Sequence, residues 1–320
     1  MTALHVNVYA ENYGWLFEDL KRHFLAGEAA GRRITTSCVP DPVADRWIAL
    51  RTSETGRSPD PANTMACIHD LFDEPGLYGP GGTRAGAGGA GALWLCHPGA
   101  RAILARDGID LSADAERHRI LFERPIGALA MFTPRTILSE RFTVGWIGRN
   151  DPVKRLAIFE AAMARLALTE PDTLVMLVGE DIGGVADAVR ATGLDVSHHD
   201  RRVVPIEHCP RLYQAMDVLV LTSATEGQPL ALFESLAYGV PAITSPVGWA
   251  PYFAARAPDL VRLAEGPEAI TTALSVLRRE RAALFARRSE IAALAAPWRL
   301  EGWVAEMLDV VAALPAGRAR

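Results

Sequence analysis

No uninterrupted apolar run in these 320 residues approaches the roughly 20 residues of a membrane-spanning helix. The opening stretch, MTALHVNVYAEN, also lacks a basic region followed by a long apolar one. Neither a span nor a secretory leader is therefore expected, although docking on the inner face of a membrane stays open. Lys and Arg are scattered rather than gathered into a stripe, and the formal charge is -5, so no nucleic-acid partner is expected. Cysteine is scarce: Cys38, Cys67, Cys96 and Cys209 stand far apart, with no C-x-x-C and no histidine pair at zinc spacing. That argues against a metal site and for reduced thiols in a cytoplasmic protein, three of them in apolar runs that read as core. Repeats of 20 to 50 residues are missing, which excludes a solenoid. The glycines of GWIG at 145–148 do not form G-x-G-x-x-G, which disfavours a nicotinamide enzyme.

What is present is enough apolar material, 49% of the chain, for two ordinary cores. Residues 4–9 alternate like a strand, and Phe17, Leu20 and Phe24 follow at helical spacing, a βα opening. Further strands are predicted at 34–39, 47–50, 65–68 and 93–96, a helix at about 100–106, and a last element at 120–127 (ILFERPIG) before a linker around Pro134. The glycine-rich segment 79–91 has too little apolar surface to fold alone and reads as a mobile loop, either a tolerated insertion or a gate. In the second half, strands are predicted at 142–147, 173–178, 203–205, 217–222 and 242–244. Helical patterns separate most of them, as a doubly wound parallel sheet requires. From Trp298 the chain carries Leu300, Trp303, Val304, Met307, Leu308 and Val311 on one helical face that must pack against something.

Two constellations can carry chemistry. In DVLVLTSATEGQPLALFESLAYGVPAITSPV, residues 217–247, Glu226 lies at the carboxyl end of a strand and Glu234 on the helix that follows. Open α/β sheets hold ligands at that end, and a helix amino terminus between the carboxylates would attract a phosphate. Pro229 is expected in the first helical turn. In VGWIGRNDPVKR, Arg149 and Lys154 stand just beyond a strand. A planar guanidinium and a mobile ammonium together can grip a diphosphate and neutralise charge developing on it. Glu234 could accept two hydrogen bonds from a ribose diol, and Glu226 could hold sugar hydroxyls. Each residue alone also has a bland reading, as a solvated cation or a carboxylate near a helix start. The ordered series of strand, Glu, Gly, turn, helix and second Glu weighs against those readings jointly.

These residues resemble a GT-B type retaining glycosyltransferase, glycosyltransferase family 4. The resemblance rests on GR-x-x-x-x-K at Gly148, Arg149 and Lys154, on LVMLVGED at 174–181, on LYQAMDVLVLTSATEG at 212–227, and on the E-x(7)-E pair Glu226 and Glu234 with AYGVPAITS after it. It implies an α/β fold of two Rossmann-like domains facing across a cleft. The implied divisions are a shortened acceptor domain at 1–138, a nucleotide-sugar donor domain at 139–297, and a final helix at 298–320 crossing back onto the first domain. Arg149 and Lys154 would hold the donor diphosphate and Glu234 the ribose. Glu226, with the backbone of Gly227, Gln228, Pro229 and Leu230, would hold the transferred sugar. More loosely, CIHDLF resembles the histidine loop that faces the donor sugar, which favours His69 over its rival His97. Gly14 sits where relatives carry glycines that let the backbone approach the donor.

The implied activity is transfer of a sugar from a nucleotide diphosphate donor to an acceptor hydroxyl, with retention and without a metal or other cofactor. The acceptor stays open between a lipid, a polysaccharide and a small natural product. Two alternatives share the diphosphate site: a GT-B nucleotide-sugar epimerase, and a non-catalytic sugar-nucleotide-binding or partner subunit.

Overall fold

The computed structural model describes residues 3–11, 15–26, 31–68, 89–106, 120–123, 134–200 and 209–314. The chain divides into two compact units, Met1–Gly127 with Leu300–Arg320, and Ala128–Arg299.

The first unit is built on six parallel strands, β1 (Leu4–Tyr9), β2 (Arg32–Ser37), β3 (Arg46–Ala49), β4 (Thr64–Ile68), β5 (Ala92–Leu95) and β6 (Ile120–Glu123), in the order β2-β1-β3-β4-β5-β6. Parallel pairing demands a crossover between successive strands. Helices α1 (Trp15–Ala26) and α2 (Ala100–Arg106) serve two of these, and the short β3–β4 link uses only the 3-10 turns Thr52–Arg57 and Pro61–Asn63. Strands β3, β4 and β5 are buried along their whole length, which is why they read as continuous apolar runs. Cys67 and Cys96 are buried as expected, whereas Cys38 is exposed. The glycine-rich stretch 79–88 lies outside the described residues.

The last helix, here α11 (Leu300–Ala312), belongs to this first unit. Its apolar face is buried at Trp303, Val304, Met307, Leu308 and Val311. The Trp303 ring lies 4.9 Å from that of Trp94 on β5 and 5.4 Å from that of Phe24 on α1. Past the helix, Arg46 donates to the carbonyl of Leu314 at 3.1 Å. The stripe that had to pack against something packs on β3, β6 and α1.

The second unit is another six-stranded parallel sheet: β7 (Thr143–Arg149), β8 (Leu174–Glu180), β9 (Asp195–Asp200), β10 (Val218–Leu221), β11 (Ala242–Thr244) and β12 (Val261–Leu263), in the order β12-β11-β10-β7-β8-β9. Around it lie α3 (Leu156–Ala167), α4 (Gly183–Arg190), α5 (Cys209–Ala215), α6 (Leu230–Ala237), α7 (Ala250–Arg256), α8 (Gly266–Arg279), α9 (Arg281–Ala286) and α10 (Arg288–Ala295). α3 buries Leu156, Phe159, Ala162, Met163 and Leu166, a stripe at helical spacing, against a core that includes Trp146. The segment 203–205, expected as a strand, lies outside the described residues. Two strands had no expectation: β9 (DVSHHD) is a polar, half-exposed edge that an apolar-run criterion cannot find, and β12 is only three residues long.

At the amino ends of β7 and β10 a charged knot fixes the segment after Pro134. Arg135, 2% exposed, donates to Asp217 at 2.7 Å and to the Met216 carbonyl at 2.5 Å, while Asp217 also accepts from the Thr143 amide at 2.9 Å and from Arg281. Burial lowers the pKa of Arg135 and the charge of Asp217 opposes that. Every Asp217 oxygen is used, which is the condition for a buried charge to be tolerated.

Candidate functional site

In the second sheet the strand order reverses between β7 and β10. Ligands of open α/β sheets bind beyond the carboxyl ends of the strands at such a point. Arg149 ends β7, and the loops leaving the two strands carry Lys154 and Glu226, which the reversal brings together from 72 positions apart.

β7 ends at Arg149, where the Asn150 amide donates to the Glu180 carbonyl at 3.1 Å and the Asn150 side chain to the Asp181 carbonyl at 2.9 Å. Asp151 then caps the 3-10 turn Pro152–Lys154, accepting from the Val153 amide at 2.9 Å. Lys154 therefore sits in a separate turn, not in the first turn of α3. Between the two lies Arg155 at φ +47°, a left-handed conformation that costs a side-chain-bearing residue ~1 kcal/mol or more. Its guanidinium offsets that cost by donating to the carbonyls of Thr222 at 2.7 Å and Ser223 at 2.8 Å. In return Thr222 Oγ1 donates to the Lys154 carbonyl at 2.6 Å and the Ala224 amide to the Val153 carbonyl at 2.7 Å. Four hydrogen bonds thus stitch the β7 loop to the β10 loop.

Across this seam the Lys154 ammonium pairs with Glu226 Oε1. Ser223 Oγ donates to the same oxygen at 2.6 Å, and the Ser223 carbonyl accepts from the buried Ser245 hydroxyl at 2.5 Å. The pair is largely withdrawn from water, with side chains 24% and 14% exposed for Lys154 and Glu226. Arg149 is exposed, and among the described residues no carboxylate pairs with it. Gly148, one residue before, faces Gly179 on β8, where a Cβ would lie 1.8 Å from the Gly148 carbonyl oxygen; only glycine permits this approach.

Beyond Glu226 the turn runs through Gly227 and Gln228, both half-buried, to a buried Pro229. Pro229 is the cap residue of α6 and not part of its first turn: its ψ of 87° is not helical, and the helix begins at Leu230. No side chain caps this amino end, which leaves its positive dipole end available to an anion. Gly248, in the loop after β11, presses on the turn from behind at φ +51°. A Cβ there would lie 2.8 Å from Pro229 Cδ, 2.9 Å from the Gly227 oxygen and 3.2 Å from the Glu226 oxygen. Glu234 is half-buried on α6 and accepts from the Tyr213 hydroxyl at 2.5 Å; Tyr213 itself stacks on Tyr238 at 5.5 Å.

The sequence reading missed Arg155, Ser223, Ser245 and Gly248, which hold the Lys154 and Glu226 loops in place. A faint signal existed for Gly248 alone, as a glycine between a strand and a helix. His69 and Gly14 lie outside the described residues. His97 is described, and its Nδ1 accepts from the Gly99 amide at 2.7 Å, an N-terminal capping contact ahead of α2. Among the described residues no group of three or more His, Cys, Asp or Glu is placed to hold a metal ion. No described helix is long and apolar enough to cross a membrane.

Two cations, one of them paired to a carboxylate, beside an uncapped helix start form an arrangement suited to a phosphorylated ligand. Residues 141–279 match the family Glycosyl transferases group 1. No curated protein matches the chain in sequence. Among solved structures, sucrose-phosphate synthase from Thermosynechococcus elongatus is similar at a TM-score of 0.74 and 15% identity, covering 98% of this chain and 100% of that one. HepE of Anabaena, solved in complex with UDP and glucose, has a TM-score of 0.69 at 14% identity, covering 96% and 99%. WaaG, a glycosyltransferase involved in lipopolysaccharide biosynthesis, has a TM-score of 0.69 at 14% identity, covering 97% and 100%. The two parallel sheets are those of the GT-B fold, and residues 141–279, the greater part of the second unit, form a glycosyl transferases group 1 domain.

Proposed function

We propose that this enzyme moves a sugar from a nucleotide diphosphate donor to an acceptor hydroxyl with retention at the anomeric carbon and without a metal. The observation that carries this reading is the Lys154–Glu226 pair at the β7/β10 reversal, with Arg149, which has no carboxylate partner among the described residues, at the end of β7. Arg149 and Lys154 neutralise charge that builds on the diphosphate as the glycosidic bond breaks, the electrostatic work a divalent cation would otherwise do. The amides at the start of α6 add partial positive charge. Glu234 accepts from the ribose hydroxyls, and Glu226, with Gly227 to Leu230, holds the sugar. The acceptor oxygen attacks from the face the diphosphate leaves, and the departing phosphate oxygen takes the acceptor proton, so the atoms balance without a carboxylate nucleophile. The complexes of HepE with UDP and with UDP-glucose support a nucleotide-sugar donor for this chain as well.

The test is thermal unfolding against UDP, GDP, dTDP and ADP sugars in EDTA. A ligand that binds only the folded state at 100 times its Kd adds ~2.7 kcal/mol, a shift easily read. One base class is expected to raise the transition, and Glu234→Ala and Lys154→Ala are expected to abolish the rise while unfolding cooperatively. Persistence of the full shift in both variants would refute the assignment. Conversion of a donor to another free nucleotide sugar, with no nucleoside diphosphate released, would instead establish an epimerase.

A further inference from the structure

Glu226 presents its two oxygens unequally. Oε1 receives both the Lys154 ammonium and the Ser223 hydroxyl, and among the described residues Oε2 has no partner. Ser223 is itself fixed, since its carbonyl accepts from Arg155 and from Ser245. The carboxylate is therefore held from behind whether or not Lys154 stays on it. Lys154, on a flexible four-carbon stem, is the mobile member of the pair.

We infer that Glu226 and the diphosphate compete for Lys154, and that this competition makes the site favour an intact sugar nucleotide over the spent nucleoside diphosphate. The inference rests on the donor site proposed above. Drawing Lys154 onto a diphosphate removes the charged donor from Glu226 Oε1 and leaves a carboxylate, 14% exposed, with Ser223 alone. A burial of that degree makes the loss costly unless new donors arrive. The hydroxyls of a transferable sugar are such donors, and Oε2 is open to them. A nucleoside diphosphate without its sugar takes Lys154 and returns nothing to Glu226. After transfer, Glu226 recaptures Lys154 and weakens the hold on the product, so the pair acts as a release device that resists product inhibition. Ser223 is a positioning residue in this scheme, keeping Glu226 from following the ammonium.

The test is calorimetric titration of the full chain with UDP, GDP, ADP and dTDP, and with the corresponding sugar nucleotides, for wild type, Glu226→Gln, Lys154→Met and the double variant. Glutamine keeps the shape of Glu226 and removes its charge. Glu226→Gln is expected to bind the nucleoside diphosphate about fivefold more tightly than wild type, ~1 kcal/mol. The same variant is expected to bind the sugar nucleotide no more tightly than wild type. In the Lys154→Met background the gain should vanish, because no ammonium remains to be released. An equal gain in that background would mean simple repulsion between Glu226 and the phosphates, and would overturn the exchange. Unchanged or weaker diphosphate binding by Glu226→Gln, with Lys154→Met still weakened, would overturn it too while leaving the proposed donor site standing. Failure of every diphosphate to bind wild type and Glu226→Gln alike would remove the donor site, and this inference with it.

Discussion

Gly248→Ala isolates the contact that shapes the Glu226 turn. The position adopts φ +51°, where an alanine pays the left-handed penalty of ~1–2 kcal/mol. The added Cβ also lands 2.8 Å from Pro229 Cδ, 2.9 Å from the Gly227 oxygen and 3.2 Å from the Glu226 oxygen. Two of the three neighbours are backbone oxygens and the third is a proline ring, so nothing flexible can swing away. Overpacking of a rigid site adds ~1–3 kcal/mol, giving a total of ~2–5 kcal/mol. Gly193→Ala is the matched control: it lies at φ +97° in the same unit with nothing within 4 Å of its Cβ, so only the backbone penalty applies. Because the chain has two units, a single unfolding free energy is not defined. The appropriate assay is hydrogen exchange of β10 and β11 amides across a urea series, combined with donor titration. Gly248→Ala is expected to lower the protection of those strands by more than Gly193→Ala does. It is also expected to weaken sugar-nucleotide binding by displacing Gly227 and Glu226, an effect Gly193→Ala lacks. Equal costs for the two variants, or intact donor binding by Gly248→Ala, would refute the claim that this glycine shapes the turn.

Two further expectations concern the first unit. Trp303→Ala removes the ring packed between Trp94 and Phe24 and should cost ~3–5 kcal/mol, read as lost exchange protection in β5 and α1 with β7 and β8 unchanged; uniform loss across both units would contradict the assignment of α11 to the first. Glu54 is 5% exposed, and burial raises its pKa from the ordinary 4.5. Its contribution to stability is therefore complete below that value and is lost as pH rises through the folded pKa. Glu54→Gln should gain stability relative to wild type as pH rises above about 4.5, and stability curves that stay parallel on that rise would refute it.

The fold was legible where burial is complete on both faces of a sheet. β4, β5, β7, β8 and β10 are apolar runs because nothing else survives there, and the α3 and α11 stripes follow from one buried helical face. β9 was illegible because an edge strand needs no apolar residues, and β12 because it is a three-residue edge strand, partly exposed and centred on Arg262, whereas the equally short β11 is apolar and wholly buried. The site divides along a similar line. Lys154, Glu226 and Glu234 were legible because strand, turn and helix signals follow one another around them in sequence order. Arg155, Ser223 and Ser245 look like ordinary loop residues, since their roles depend on which carbonyl lies opposite across a gap of more than 60 residues. Only the fold supplies that information.

The division between residues proposed to meet ligand and residues that hold them explains why the charge variants can be interpreted. The β7 and β10 loops are joined through main-chain carbonyls: Thr222 and Ser223 accept from Arg155, Lys154 accepts from the Thr222 hydroxyl, and Val153 accepts from the Ala224 amide. None of these four bonds uses the Lys154 ammonium or the Glu226 carboxylate. Replacing either charged group removes one ion pair from the seam and leaves the stitching whole, so a change in ligand affinity reports the pair itself. Arg155 is the opposite case. It supplies two of the four bonds from a left-handed backbone, so its loss would move Lys154 and Glu226 together and alter binding with no charge at the ligand having changed.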